Sequence, residues 1–279
     1  MWPPEHERFA DRTAAGRMLG TAVASHLRQL EPNGMATGLE AAAMSTGAMS
    51  TAQMSAGMMS TAQMSVAQMT AAQVGSAQMG AARPPLVLAL PRGGVPVGVT
   101  VAEAIGADFD LVISRKIGLP WQSDQGVGAI AENGPAVFDL SAVAAVGLTV
   151  RDLSPAVQRE RVELRRRQER YRGTRPAPDV AGRVVVVVDD GLATGVTARA
   201  AVRALRAGKP AHLVFAAPVC AAESVDLLAA EVDEVIDIHS PREFFALGLY
   251  YNDFPPLTDN HVLQMCTQMW DTAKVPAPV

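Results

Sequence analysis

Two adjacent carboxylates, Asp189 and Asp190, followed by the small-residue run Gly191-Leu192-Ala193-Thr194-Gly195-Val196-Thr197, are the residues of this chain best suited to chemistry. Small residues let backbone N–H groups approach a phosphate, the Thr194 and Thr197 hydroxyls add donors, and a helix starting there would turn its positive end toward the anion. Carboxylates next to an anion cradle read as a site for a sugar phosphate. Nearer the amino terminus, Pro91-Arg92-Gly93-Gly94 combines two glycines, which permit close backbone approach, with a guanidinium that can fork onto phosphate oxygens. Between these two sets, Arg115 and Lys116 stand at the head of a polar stretch running to Gly128.

These groups need rigid elements to present them. Val184-Val185-Val186-Val187-Val188 is apolar on both faces and β-branched throughout, which predicts a central strand of a parallel sheet with Asp189 and Asp190 at its carboxyl edge. The loop after them feeds a helix through Ala200, Ala201, Ala204 and Leu205, with Gly208 as its expected stop. Leu86-Val87-Leu88-Ala89-Leu90 is a second buried-strand run. It ends in the Pro-Arg-Gly-Gly turn and a helix entered through Val95-Pro96 and finishing near Gly106.

Further along, a strand is expected at Leu111-Val112-Ile113, a flexible loop over Ser114 to Gly128, and a hairpin turn at Asn133-Gly134. Ser154 to Tyr171 interleaves arginines with glutamates and predicts an exposed helix, with an RNA-binding or subunit-contact face as alternatives to a solvated one. Strands at Leu213–Ala216 and Glu234–Ile238 flank a helix around Ser224 to Ala230. A first helix shows one apolar face at Leu19, Val23, Leu27 and Leu30. The βαβαβ order predicts parallel pairing with right-handed crossovers.

A net charge of −4 argues against a general nucleic-acid binder, and two cysteines, Cys220 and Cys266, give neither a disulfide framework nor a metal cluster. The first residues lack a signal-peptide pattern and no apolar run approaches a membrane span, so a soluble cytoplasmic protein without membrane partners is expected. Between Glu40 and Arg83 there is no charged residue, and Met44, Met49, Met54, Met59, Met64, Met69, Val74 and Met79 mark a period of five. That period matches neither a helix nor a strand face. It reads as a low-complexity, disordered insertion, with a short pentapeptide-repeat β-helix as the alternative.

The stretch from Val185 to Thr197 resembles the signature of the type I phosphoribosyltransferases at every position except Gly191, where that family usually has an aliphatic residue and where glycine would loosen the turn. The Pro-Arg-Gly-Gly turn is similar to the same family's pyrophosphate loop, which often carries a cis peptide, here Pro91–Arg92. The resemblance implies an α/β fold, an open, mainly parallel twisted sheet flanked by helices, with a small C-terminal hood and the low-complexity insertion. It divides the chain into an N-terminal helix of the core (1–34), the insertion (35–83), the core proper (84–240) and the hood and tail (241–279).

It further implies roles: Asp189 and Asp190 for ribose; Ala193, Thr194, Gly195, Val196 and Thr197 for the 5′-phosphate; Arg92, Gly93 and Gly94 for pyrophosphate. Arg115 and Lys116, on a loop that closes over the substrate, would be catalytic. Phe245, Tyr250, Tyr251 and Asp253 of the aromatic-rich C-terminal part would bind the acceptor, although such a cluster also fits a packing lid. The substrate would be phosphoribosyl pyrophosphate with a nitrogen acceptor, a nucleobase. Mg²⁺ would arrive bound to the substrate, with no dedicated protein metal cage. Ala193 stands where family members acting on 6-oxopurines commonly have an acid. A homodimer is compatible with this reading. A non-catalytic sensor of phosphoribosyl pyrophosphate or a nucleotide, acting through a partner, is the alternative; an unrelated dinucleotide-binding domain would need a Gly-x-Gly-x-x-Gly turn after a strand, which is absent.

Overall fold

Val184–Val188 forms a strand buried at all five positions, and the reason lies in what covers its two faces. Val184, Val186 and Val188 belong to one apolar cluster and Val185 and Val187 to another, as alternation along a strand requires. This computed structural model describes residues 8–30 and 83–272. The expected insertion at 35–83 lies outside the described residues except for Arg83.

In chain order the elements are α1 (Arg12–Leu30), β1 (Leu86–Ala89), α2 (Gly94–Ile105), β2 (Asp108–Leu111), β3 (Ser114–Leu119), β4 (Gln122–Ala131) and β5 (Ala136–Phe138). They continue with α3 (Leu140–Ala145), α4 (Ser154–Arg172), β6 (Val184–Val188), α5 (Val196–Arg206), β7 (His212–Val219), α6 (Ala222–Ala229) and β8 (Glu234–His239). A 3-10 turn (Leu247–Tyr250) and α7 (Asp259–Thr272) close the chain. The main sheet has the order β2-β1-β6-β7-β8, and every pair in it is parallel. Helices α1, α2, α4 and α7 contribute to one face of its core, and α5 and α6 to the other. This is the expected open parallel sheet flanked by helices. No described helix is long and apolar enough to cross a membrane.

The flexible loop expected over Ser114 to Gly128 is instead a β-hairpin, β3 and β4 paired antiparallel, which β5 extends to three strands. Ile117, Leu119, Val127 and Ala129 turn inward and are buried, which gives the segment an ordered face that its polar composition conceals. The Asn133-Gly134 turn joins β4 to β5 as expected, with Asn133 in the left-handed region at φ 60°. The expected strand Leu111–Ile113 is shifted toward the amino terminus. β2 pairs only with β1, and that ladder ends where Ala89 meets Leu111. Helix α5 stops at Arg206; the left-handed residue beyond it is Lys209 (φ 56°), while Gly208 is needed because a Cβ there would lie 2.4 Å from Val180. Within 241–279, expected as hood and tail, α7 was not foreseen. It buries Val262 and Cys266, and its Trp270 Nε1 donates to the Phe109 carbonyl (3.1 Å).

Candidate active site

The carboxyl ends of β1 and β6 lie side by side, so the two glycine-bearing loops that follow them meet. A Cβ on Gly93 would fall 2.1 Å from Asp190 Oδ2, and one on Gly94 would fall 2.5 Å from the Val188 carbonyl and 2.8 Å from the Asp189 Cα. Only a chain without side chains can rest there. The Pro91–Arg92 peptide is cis. Arg92 is half-exposed and lies 3.8 Å from Asp259 at the start of α7.

Asp189 and Asp190 have different surroundings. Asp190 is buried; its Oδ2 accepts from Arg12 Nε at 2.8 Å, and its carbonyl accepts from the Tyr251 hydroxyl at 2.6 Å. Arg12 also donates to the Pro255 carbonyl (2.9 Å) and lies 3.7 Å over the Phe254 ring. Asp189 is partly buried and accepts from the Asp190 N–H at 2.9 Å. Burial, and after it repulsion from Asp190, pushes the Asp189 carboxyl well above the usual carboxylate range, and Lys116 is the cation that pulls it back. Lys116 is exposed on β3, whose hairpin packs on α5. Arg115, on the opposite face, is tied to Glu160 of α4 at 2.8 Å. The two basic residues are adjacent in sequence, but one is turned toward the site and the other is anchored away from it.

The loop after the carboxylates is open where an anion would enter. Ala193 and Thr194 are exposed, Thr197 is half-buried and Val196 is buried. Gly195 holds a left-handed conformation at φ 71°, which explains glycine there. Among the described residues no side chain caps the amino terminus of α5, and its first turn carries no acid. The Ala193 carbonyl accepts from the Ser224 hydroxyl, fixing the loop from behind. A Cβ on Gly191 would lie 2.1 Å from Leu247 Cδ1, so the 3-10 turn supplies the aliphatic group from outside. The Leu192 N–H donates to the Val219 carbonyl at 2.8 Å, and its side chain is buried.

The proposed acceptor residues separate. Phe245 is 66% exposed and Asp253 is also exposed, whereas Tyr250 and Tyr251 are 5% and 2% exposed, in a cluster with Phe9, Ala15 and Val219. These two tyrosines pack inside that cluster, as a packing lid would, while Phe245 and Asp253 stay open to solvent. Burial also raises the Tyr251 phenol above its ordinary value, in keeping with a neutral donor to Asp190. Sequence reasoning missed Arg12. Its one signal is position: Asp11 caps α1 by accepting from the Ala14 N–H (2.7 Å), and a cation in the first turn opposes the helix dipole unless an anion elsewhere holds it.

An open parallel sheet with two glycine-bearing loops meeting over paired carboxylates at its carboxyl edge defines a class of α/β protein with a ligand site at that edge. The chain belongs to the phosphoribosyl transferase domain family, whose model matches residues 64–252. Two Mycobacterium tuberculosis proteins, from strains CDC 1551 and H37Rv and provisionally described as phosphoribosyl transferases, are each 38% identical over 178 residues, 64% of this chain. The chain spans only 40% of their length. The crystal structure of TT1426 from Thermus thermophilus is similar at a TM-score of 0.62 and 32% identity, covering 94% of this chain and 99% of that one.

Proposed function

We propose that this chain binds phosphoribosyl pyrophosphate with Mg²⁺ and transfers the ribose 5-phosphate group to a nitrogen acceptor of the nucleobase class. The acceptor nitrogen bonds to C1, the C1–oxygen bond breaks, and pyrophosphate leaves. The observation that supports this reading is the close approach of Gly93 and Gly94 to Asp190 and Asp189, which sets the glycine turn directly beside the two carboxylates. Asp189 and Asp190 would hold the ribose hydroxyls. The N–H groups and hydroxyls of Ala193 to Thr197 would hold the 5′-phosphate at the uncapped start of α5. Gly93, Gly94 and the Arg92 guanidinium would receive the pyrophosphate, and Lys116 would offset the charge that builds on it as it departs.

Mg²⁺ would fit this site because the Asp189 carboxyl is a hard oxygen donor of the kind that ion takes. When bound with the substrate, the ion neutralises pyrophosphate charge. Ala193 offers no acid to protonate an acceptor, so acceptors that need no such proton are favoured.

Calorimetric titration with phosphoribosyl pyrophosphate, with and without Mg²⁺, tests the binding step without a choice of acceptor. Magnesium-dependent binding that disappears in Asp189→Asn/Asp190→Asn, with an unchanged circular dichroism spectrum, is expected. Absence of both heat and thermal stabilisation in the parent protein would overturn the reading. The ion pair that anchors Arg115 to Glu160 on an ordered hairpin favours a second reading, a sensor that binds without turnover. Binding with no pyrophosphate release across a panel of bases would select it.

A further inference from the structure

At the amino-terminal ends of β7 and β8, away from the carboxyl edge, three side chains from three elements converge. They are His26 of α1, His212 at the first position of β7 and Glu234 at the first position of β8. One donor atom from each lies within 4.8 Å of the other two. The fold sets up the meeting. Val214 pairs with Glu234, and His212, two residues before Val214, shares its face of the sheet. That face packs on α1 through Val23 and Leu27, and His26 sits between them in sequence.

Among the described residues, His212 Nε2 is buried without a hydrogen-bond partner. His26 Nε2 touches Glu234 Oε2, and His212 Nε2 lies 3.9 Å from the same oxygen. The contact between His26 and Glu234 leaves His212 Nε2 facing the same carboxylate oxygen with no hydrogen bond of its own. One divalent cation satisfies all three atoms. The other ring nitrogen of His212, Nδ1, lies 3.7 Å from Asp233 Oδ2, beyond hydrogen-bond length. Asp233 is itself fixed by the Leu213 N–H (2.7 Å) and by Arg206 (3.0 Å).

We infer that His26, His212 and Glu234 form a binding site for a first-row transition-metal dication of the Zn²⁺ type. Two imidazoles and one carboxylate select such an ion over Mg²⁺ or Ca²⁺, which prefer oxygen alone, and three protein ligands leave a fourth position for water. The side chains of His26 and Glu234 are 27% and 30% exposed, which gives the ion a way in. Bound there, the metal clips the carboxyl-terminal half of α1 to the sheet. The same helix delivers Arg12 to Asp190 at its other end.

The test is titration of chelator-treated full-length protein with ZnCl₂ by calorimetry, with thermal melts alongside and Co²⁺ absorption as a reporter of ligand geometry. One equivalent of Zn²⁺ is expected to bind and to raise the melting temperature in proportion to the logarithm of its concentration. In His26→Gln and in Glu234→Gln, each at a partly exposed position, that equivalent and the thermal shift should both be lost. Absence of stoichiometric binding in the parent protein would overturn the site and leave an ordinary His26–Glu234 ion pair. Equal binding in the parent and both folded variants would place the metal elsewhere and overturn it as well.

Discussion

Asp189 and Asp190 share a backbone bond and little else. Asp190 is held by Arg12 and beneath Tyr251, whereas Asp189 has one N–H donor and Lys116 at longer range. Because the folded-state value of Asp189 is raised, the fold favours its neutral form. Its stabilising contribution is complete below the ordinary carboxyl pKa and is lost as pH rises through the raised value. Asp189→Asn is therefore expected to raise stability at pH 8 by on the order of 1 kcal/mol, and to do so less at pH 5. The same substitution should weaken binding of Mg²⁺ and phosphoribosyl pyrophosphate, the usual exchange of stability for function at a ligand site. Thermal melts of parent and variant from pH 5 to 8 check this; a difference that does not change with pH would sink the account.

At the scale of elements, the departure of Gly191 from the family pattern is a division of labour between the signature loop and the 3-10 turn that carries Leu247. Gly191→Leu alone should cost about 1–3 kcal/mol through overpacking. Combined with Leu247→Ala it should cost clearly less than the sum of the two single substitutions, because the new side chain fills the space that the old one leaves. Urea denaturation of the four proteins gives the coupling directly, and strict additivity would mean that the two positions do not share that space. The same contact marks the limit of what sequence can disclose. β1 and β6 were legible because strands covered on both faces must be apolar throughout, and Asp189, Asp190 and the two glycine loops followed from their ends. The β3–β4 hairpin was not, because its outward positions carry the polar residues and glycines that also make loops, and its apolar positions signal only once a partner strand is known. α7 escaped notice because it buries only Val262 and Cys266. Arg12 offered only its place in the first turn of α1, because its partner lies 178 positions away.

At the scale of the whole molecule, the small antiparallel sheet needs a fixed position over the main sheet if Lys116 is to face Asp189, and a buried charge network supplies it. Arg172, at the end of α4, donates to both oxygens of Glu132 just beyond β4, and to the Leu111 carbonyl of β2 at 2.8 Å. Glu132 in turn accepts from the Ile113 N–H (3.1 Å) and from Gln168 (3.1 Å). Asp110 of β2 lies 3.7 Å from the same guanidinium, and burial raises its carboxyl while Arg172 and Arg175 draw it back down. Three elements are thus joined through one cation whose side chain is 6% exposed. Removing it strands the buried Glu132 carboxylate and leaves Asp110 with Arg175 as its remaining cation, so Arg172→Met should cost about 3–5 kcal/mol near pH 8. The loss should shrink on acidification. Without Arg172 the Asp110 carboxyl rises further above its unfolded value, so the penalty is present at high pH and relieved as the group takes up a proton. Urea midpoints of parent and variant at pH 5 and pH 8 measure both effects. A loss of equal size at the two pH values would show that Arg172 contributes through packing alone, and the charge network would not be what holds the hairpin sheet in place.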